Sequence, residues 1–458
     1  MDAAYLFAKN LVETNYEDIP QDVVEATKKQ TLDILGVALA GSPKPGVKEL
    51  VELITEWGGK KESTIFCYGR KVPAAHAAQM NATMGHALDY DDTHDMAIIH
   101  PSVVAVPTCL AVAEHKGKLS GREFITAAAL GMDMICRLGL ATTSPLKAGW
   151  HLTTLYGFMT AAGVAGRILG LDEDGIVNAI GIAYHQSCGN GQCVLDGALT
   201  KRMGPGFAVR GGIAAALMAE KGITGAKNSL EGEFGLFNLY HQGTYDGRIL
   251  TADLGKHFEG INVSIKPYPC CRVTHAYIDA ALAIVNQHNI KAEEVREITL
   301  ICGEVANQLL CVPLEVKCKP RTIVDAQFSI PWTVATAIVR RQVAMEHFTE
   351  AAIKSQDILE ISGKTKVEPD TGPGSTRLIQ PGRMKIATKN GETYYEEVNH
   401  ALGSPQRPLT FDECARKFRD CASYAIKRLP NKQIDRVVEL VRQLEKVDDV
   451  REVAELLG

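Results

Sequence analysis

The chain turns on the stretch Met84-Gly85-His86-Ala87-Leu88-Asp89-Tyr90-Asp91-Asp92-Thr93-His94-Asp95, closed by His100-Pro101-Ser102. Four carboxylates, three histidines and a threonine fall within residues 86–102. The flanks are apolar, with Ala and Met before and Val-Val-Ala-Val after. A titratable loop between two apolar helices is poor ordinary surface. It reads as one wall of an active site that the rest of the chain completes. Helix capping explains part of it, because Asp91, Asp92 or Thr93 can cap, and Ser102 follows a proline at a helix start. Capping does not explain every residue. Asp89, Asp91, Asp92, His94, Asp95 and His100 are also metal-ligand types. A calcium loop beginning at Asp89 wants Gly at its sixth place and Glu at its twelfth, where His94 and His100 stand. Neither H-E-x-x-H nor a paired C-x-x-C occurs, so no metal is expected.

The wider chain sets the architecture around that stretch. At 458 residues two domains are expected. A hydrophobic content of 46% and a charged content of 22% are those of a globular protein. A net charge of −5 gives no reason to expect nucleic acid. The start, Met1-Asp2-Ala3-Ala4-Tyr5, has neither basic nor apolar leader character. The near-apolar run 103–113 is too short to span a bilayer, so no membrane is expected. Twelve cysteines without framework spacing read as reduced thiols of a cytoplasmic protein.

The first half carries helical periodicity almost throughout, with segments near 102–116, 120–141, 152–169 and 173–186. A helix opens at Pro73, and 204–220 is rich in Gly and Ala. Thr64-Ile65-Phe66 and Lys71-Val72 suggest a short hairpin. Near residue 260 the pattern changes. Residues 295–302 read as a strand and 325–341 as a helix. Segments 384–388 and 392–396 flank Asn390-Gly391, a strong hairpin signal. Helical spacing returns after about 405. The fold expected is mainly α with an inserted α+β domain. The helical domain is placed at 1–261 and 401–458, and the α+β domain at 262–400.

Three more segments carry chemistry. Gly149-Trp150-His151-Leu152-Thr153 puts a histidine beside a glycine at a helix start, where it is either a cleft residue or a packing residue. Leu199-Thr200-Lys201-Arg202 sets two cations at a helix N-terminus, against the dipole preference, which suits an anionic ligand or a solvated pair. Ile265-Lys266-Pro267-Tyr268-Pro269-Cys270-Cys271-Arg272 is stiffened by two prolines, which fix Lys266, Cys271 and Arg272 for a site or for a rigid connection. The Gly-rich stretches lack the glycine spacing of a dinucleotide fingerprint.

Taken together, these segments resemble the MmgE/PrpD family, which includes 2-methylcitrate dehydratase, cis-aconitate decarboxylase and iminodisuccinate epimerase. The matching stretches are His86-Ala-Leu-Asp-Tyr-Asp-Asp-Thr93, His100-Pro-Ser102, Gly149-Trp-His-Leu-Thr153, Thr200-Lys201 and Lys266-Pro-Tyr-Pro-Cys-Cys271. Asp325-Ala-Gln-Phe-Ser329, Gly403-Ser-Pro405 and Lys417-Phe418 continue the family order. The resemblance implies a large helical domain built from both chain ends, a smaller α+β lid domain, a homodimer and an active site between the domains. It implies no cofactor. It marks Asp89, Thr93, His100, His151, Lys201 and Lys266 as active-site positions.

Two departures bear on the substrate. Cys271 stands where the decarboxylases carry a histidine, five residues after the lysine matched by Lys266. Pro145-Leu146 stands where many members carry a His-Tyr pair. The expected chemistry is proton transfer at a carbon next to a carboxylate. His151, Lys266, His100 and Asp89 would be catalytic. Thr93, Lys201, Arg272, Cys271 and Tyr268 would bind a di- or tricarboxylate. A hydro-lyase acting on a substrate such as 2-methylcitrate is placed first and an epimerase second. A cis-aconitate-type decarboxylase or a non-catalytic carboxylate-binding protein follows.

Overall fold

The computed structural model describes residues 1–142 and 149–458. Pro145-Leu146 lies outside the described residues. The described chain forms two compact units, Met1–Ile265 with Thr410–Gly458, and Lys266–Leu409.

The first unit is built from helices. They include Gln21–Gly41, Ala74–His86, Ser102–Lys116, Gly121–Ala141, Leu152–Leu169, Glu173–Gln186, Thr200–Glu220 and, from the chain's end, Phe411–Ser423. Ser102–Lys116 and Gly121–Ala141 are buried on nearly every side, as their largely apolar composition requires, and Gln21–Gly41 is buried too, with its Lys28 and Asp33 paired. Small residues bring the axes together. Thr200–Glu220 packs on Leu152–Leu169 and on Ala74–His86. A Cβ added at Gly212 would lie 2.5 Å from the Ala161 Cβ and 2.6 Å from the Phe158 carbonyl oxygen. Only glycine permits that approach. Gly121–Ala141 is long and apolar enough to cross a membrane, a feature that the run 103–113 did not reveal. It is nonetheless a core helix, almost wholly buried, and it carries an Asp133–Arg137 ion pair of 2.8 Å.

Two short ladders complete this unit. Strands β1 (Ser63–Ile65) and β2 (Arg70–Val72) form the expected hairpin. Strands β3 (Thr93–His94) and β4 (Val263–Ser264) pair antiparallel, with Thr93 opposite Ser264. The β4 strand ends two residues before Lys266.

The second unit is a four-stranded sheet of order β6-β5-β7-β8 covered by helices. Strand β5 (Val295–Cys302) runs parallel to β6 (Thr365–Pro369) and antiparallel to β7 (Gly382–Thr388). Strand β8 (Thr393–Val398) closes a hairpin with β7, with Met384 opposite Glu396. The helices His275–Gln287 and Ile330–Arg340 bury Tyr277 and Trp332 in one core with Ile298, Leu300, Met384 and Ile386.

Three expectations change. The single helix expected over 325–341 is two, Ile323–Gln327 and Ile330–Arg340. The Ser329 hydroxyl breaks it by capping the second, accepting from the Trp332 N–H at 3.0 Å. Residues 262–265 belong to the first unit, where β4 pairs with β3. Residues 401–409 belong to the second, where the Leu402 N–H donates to Asp279 at 2.7 Å.

Candidate active site

The helix Ala74–His86 delivers His86 at its last turn, and the chain then reverses sharply. Asp89 makes the reversal in the left-handed region, with φ 53°. An aspartate tolerates that region better than most residues, at a strain of roughly 1–3 kcal/mol. The turn gives alternate carboxylates different partners. Asp89 meets Lys201, whose Nζ lies 2.7 Å from Oδ1. Asp91 turns inward to the histidines.

Asp91 is the hub. Its Oδ2 lies 2.7 Å from His86 Nδ1 and 3.2 Å from His100 Nδ1. Burial alone would raise its carboxyl, but the charges and hydrogen bonds of His100 and His86 hold it well below the ordinary range. An ionised carboxylate only accepts, so each ring must donate from Nδ1 and keep its lone pair on Nε2. The His86 ring stands 4.7 Å edge-on from His100 and 5.7 Å from His151. Burial pushes the His86 imidazole down to about 4, and Asp91 opposes this only in part.

His151 precedes the helix Leu152–Leu169. Its Nδ1 lies 2.8 Å from the Thr154 hydroxyl one turn on. Burial, then the positive charge of His86, Lys201 and His100, pushes its imidazole well below the ordinary value. The neighbouring Thr153 hydroxyl accepts from the His100 N–H at 3.1 Å, which ties the loop to this helix. Thr93 Oγ1 lies 3.4 Å from His100 Nδ1, a weak third contact. Behind the loop Asp92 is fully buried, and Oδ1 accepts from the Ser102 N–H at 3.3 Å. Burial, with the Asp33 charge, raises its carboxyl well above the ordinary range. Asp92, buried and bonded to the Ser102 backbone, supports the loop from behind.

The β3 end is held from the other side. Glu259 accepts from His94 Nε2 at 3.3 Å, Asn262 at 2.9 Å and His257 at 3.1 Å. The His94 hydrogen bond is the chief cause that holds its carboxyl down to about 2.

The first unit thus brings together Asp89, Thr93, His100, His151 and Lys201. His86 and Asp91 join them, although sequence reasoning gave neither a separate role. Their signal was present, since a histidine five residues before an aspartate in a turn can close onto it. His86, Asp91 and His100 are also a metal-ligand combination by type. Their Nδ1–Oδ2 spacings of 2.7 and 3.2 Å are hydrogen-bond spacings, with the shorter below the ~3.3 Å edge of a tetrahedral zinc shell.

The other four expected residues lie in the second unit. Lys266 is almost completely buried, Arg272 is buried and Cys271 is half-buried. Arg272 lies 3.3 Å from His275 Nδ1. The Tyr268 hydroxyl donates to Asp279 at 2.6 Å, so it serves the turn inside this unit. The 325–329 motif serves the same turn. Gln327 donates to the Pro269 carbonyl at 3.1 Å and accepts from the Cys271 N–H at 2.9 Å through its own carbonyl.

What the chain resembles can now be set beside this geometry. The family signature "MmgE/PrpD N-terminal domain" matches residues 6–247, and "MmgE/PrpD C-terminal domain" matches 268–445. A cis-aconitate decarboxylase of Aspergillus terreus is 26% identical over 96% of this chain and 93% of its own length. The cis-aconitate decarboxylase-like protein oryM of Aspergillus oryzae is 28% identical over 98% and 95%. Cis-aconitate decarboxylase of Homo sapiens is 25% identical over 95% and 90%. With both signatures matched in order along nearly the whole chain, this enzyme belongs to the MmgE/PrpD family.

Proposed function

We propose that the protein is a cofactor-independent lyase that moves a proton at a carbon next to a carboxylate of a small di- or tricarboxylate. The observation that carries this reading is the His86–Asp91–His100 cluster, with His151 against it and Asp89 of the same loop paired with Lys201 from the helix Thr200–Glu220. His100 is the base. Asp91 orients its ring and would stabilise the charge it gains, while Nε2 takes the proton. His151, whose imidazole is held below its ordinary value, is a hydrogen-bond partner of the substrate, and the proton returned comes from the imidazolium that His100 becomes. Charge left on the carbon spreads onto the neighbouring carboxylate, where a fixed cation must meet it. Lys201 supplies one cation. Lys266 enters from the resemblance as a second. Thr93 hydrogen-bonds a substrate carboxylate or hydroxyl.

Dehydration adds loss of hydroxide, protonated as it leaves. We place the hydro-lyase first because Cys271 stands where the decarboxylases carry histidine. A second reading, decarboxylation, is favoured by the names of the relatives. There carbon dioxide leaves, its bonding electrons remain on carbon, and the acid protonates that carbon. Epimerisation returns the proton to the other face. In keeping with the resemblance, the assembly proposed is a homodimer.

The test is a proton NMR screen in heavy water, with chelator present, using 2-methylcitrate, citrate, cis-aconitate and iminodisuccinate. New vinyl signals without carbon dioxide mean dehydration, and vinyl signals with carbon dioxide mean decarboxylation. Deuterium entry with inversion means epimerisation. No deuterium entry or turnover with any acid would overturn the reading. Lys266→Ala is expected to lower kcat at least about a hundredfold in the same assay without loss of helix by circular dichroism. A near-normal rate would remove Lys266 from the mechanism.

A further inference from the structure

The motif Lys417-Phe418 sits in the helix Phe411–Ser423, among the last fifty residues, and no step above uses it. That helix packs on Gln21–Gly41 in the first unit. Lys417 is buried. Its Nζ lies 2.7 Å from Asp33 Oδ1, donates to the Tyr90 carbonyl at 3.0 Å and stands 3.6 Å from the centre of the Tyr90 ring. One ammonium thus holds both the backbone and the side chain of Tyr90. A cation over a desolvated ring and a charged donor to a buried carbonyl are both strong contacts. Tyr90 is the residue between Asp89 and Asp91. The carboxylate before it faces Lys201, and the carboxylate after it carries His86 and His100.

We propose that Lys417 is a positioning residue of the candidate active site. Anchored by Asp33, it fixes the Tyr90 peptide and so the directions in which Asp89 and Asp91 point. The geometry leaves Tyr90 little freedom. The turn contains one left-handed residue, Asp89, and its reversal has to be held against relaxation to ordinary backbone. A neutral group at 417 would leave the Tyr90 carbonyl without this donor, and the two flanking carboxylates would lose their fixed relation. The inference rests on the proposed lyase for its kinetic readout only.

A buried ion pair also stabilises merely by being paired, so the test has to separate the two roles. Four full-length proteins are compared: wild type, Lys417→Met, Asp33→Ala/Lys417→Met and Lys417→Arg. Three quantities are read. They are the melting temperature, the downfield imidazole N–H proton resonances of His86 and His100 (assigned with His86→Gln and His100→Gln), and kcat and KM on the acid converted in the heavy-water screen. Lys417→Met is expected to shift or lose the imidazole signals and to lower kcat at least about tenfold. The double variant, which leaves no unpaired charge, is expected to regain melting temperature but neither signals nor kcat. Lys417→Arg, which still donates to Tyr90, is expected to restore part of both. If the double variant regains signals and kcat along with melting temperature, Lys417 is only half of an ion pair and the proposal falls. Unchanged imidazole signals in folded Lys417→Met overturn it as well. If Lys417→Met does not fold, the double variant is read alone against the same outcomes. If no acid is turned over, the lyase reading fails while the imidazole signals still decide the role of Lys417.

Discussion

Asp91 carries two imidazoles on one oxygen, which makes it the most exposed single point of the mechanism. Asp91→Asn keeps the shape and presents an amide that can donate. Both rings share Oδ2, so an amide nitrogen there would force both to accept from Nδ1, and an amide oxygen there would keep the bonds without the charge that holds them. A fall in kcat of about 10²–10⁴ is expected, measured by steady-state kinetics on the converted acid. The same cluster makes stability depend on pH. Burial lowers the His86 ring from its ordinary 6.5 to about 4. Below pH 6.5 the unfolded ring takes up a proton that the folded ring refuses. Stability is therefore full above 6.5 and falls as pH drops toward 4, by ~3 kcal/mol if the whole shift is expressed. Urea titrations at pH 7.5, 6 and 4.5 should show the loss, and His86→Gln should make the slope shallower. The residue types of this site were legible: Asp89, Thr93, His100, His151 and Lys201 were read in their segments. Which carboxylate did what was not legible. A left-handed residue at Asp89 reverses the direction of the chain, and no periodicity in Asp-Tyr-Asp-Asp announces it. Asp92 was read with the acidic wall, yet it is fully buried and accepts from the Ser102 N–H, and burial beside Asp33 raises its carboxyl.

Helix contact distances set the site as firmly as the loop does. Thr200–Glu220 passes so close to Leu152–Leu169 that a Cβ at Gly204 would overlap the Thr154 hydroxyl and would itself lie 3.7 Å from His151 Nδ1. Gly204→Ala improves helix propensity by about 1 kcal/mol. It also forces Thr154 to rotate away from His151. The variant is expected to stay helical by circular dichroism while kcat falls about tenfold or more. Unchanged kcat would mean that the Thr154 bond does not orient His151. Elements with a strong period were the legible ones. The strand Val295–Cys302 and the hairpin around Asn390-Gly391 stand where alternation and turn chemistry put them. The break at Phe328-Ser329 was missed, although Ser-x-Pro is a start signal and Pro331 tolerates the first turn. The strand Thr365–Pro369 was also missed. As a parallel edge partner of β5, it has a pattern set by its neighbour rather than by alternation.

At the scale of the molecule the residues proposed for the chemistry come from two separate units. The first unit holds the histidines and Asp91, and the second holds Lys266 and Arg272. Composition suggests more than one core and the pattern changes near residue 260, whereas the second compact unit starts at Lys266. The return was harder to see, because residues 401–409 have no strong period and are held by Leu402 and Arg407 on Asp279. Division into units gives each a separate stability. The unit Lys266–Leu409 is one uninterrupted segment of a length that commonly folds alone. Its core contains Trp332, Tyr277, Ile298, Leu300, Met384 and Ile386, all buried to 0% exposure. Each of the large side chains contributes about 1.5–3 kcal/mol on burial. A fragment of residues 266–409 is therefore expected to fold alone, with a cooperative urea transition and a mixed helix–sheet spectrum. It should convert none of the acids that the full chain converts, because the base and its aspartate are left behind. A featureless, non-cooperative titration would show that this unit borrows its stability from the helical one. Turnover by the fragment would place the base in the wrong unit and dismiss His100 from the mechanism.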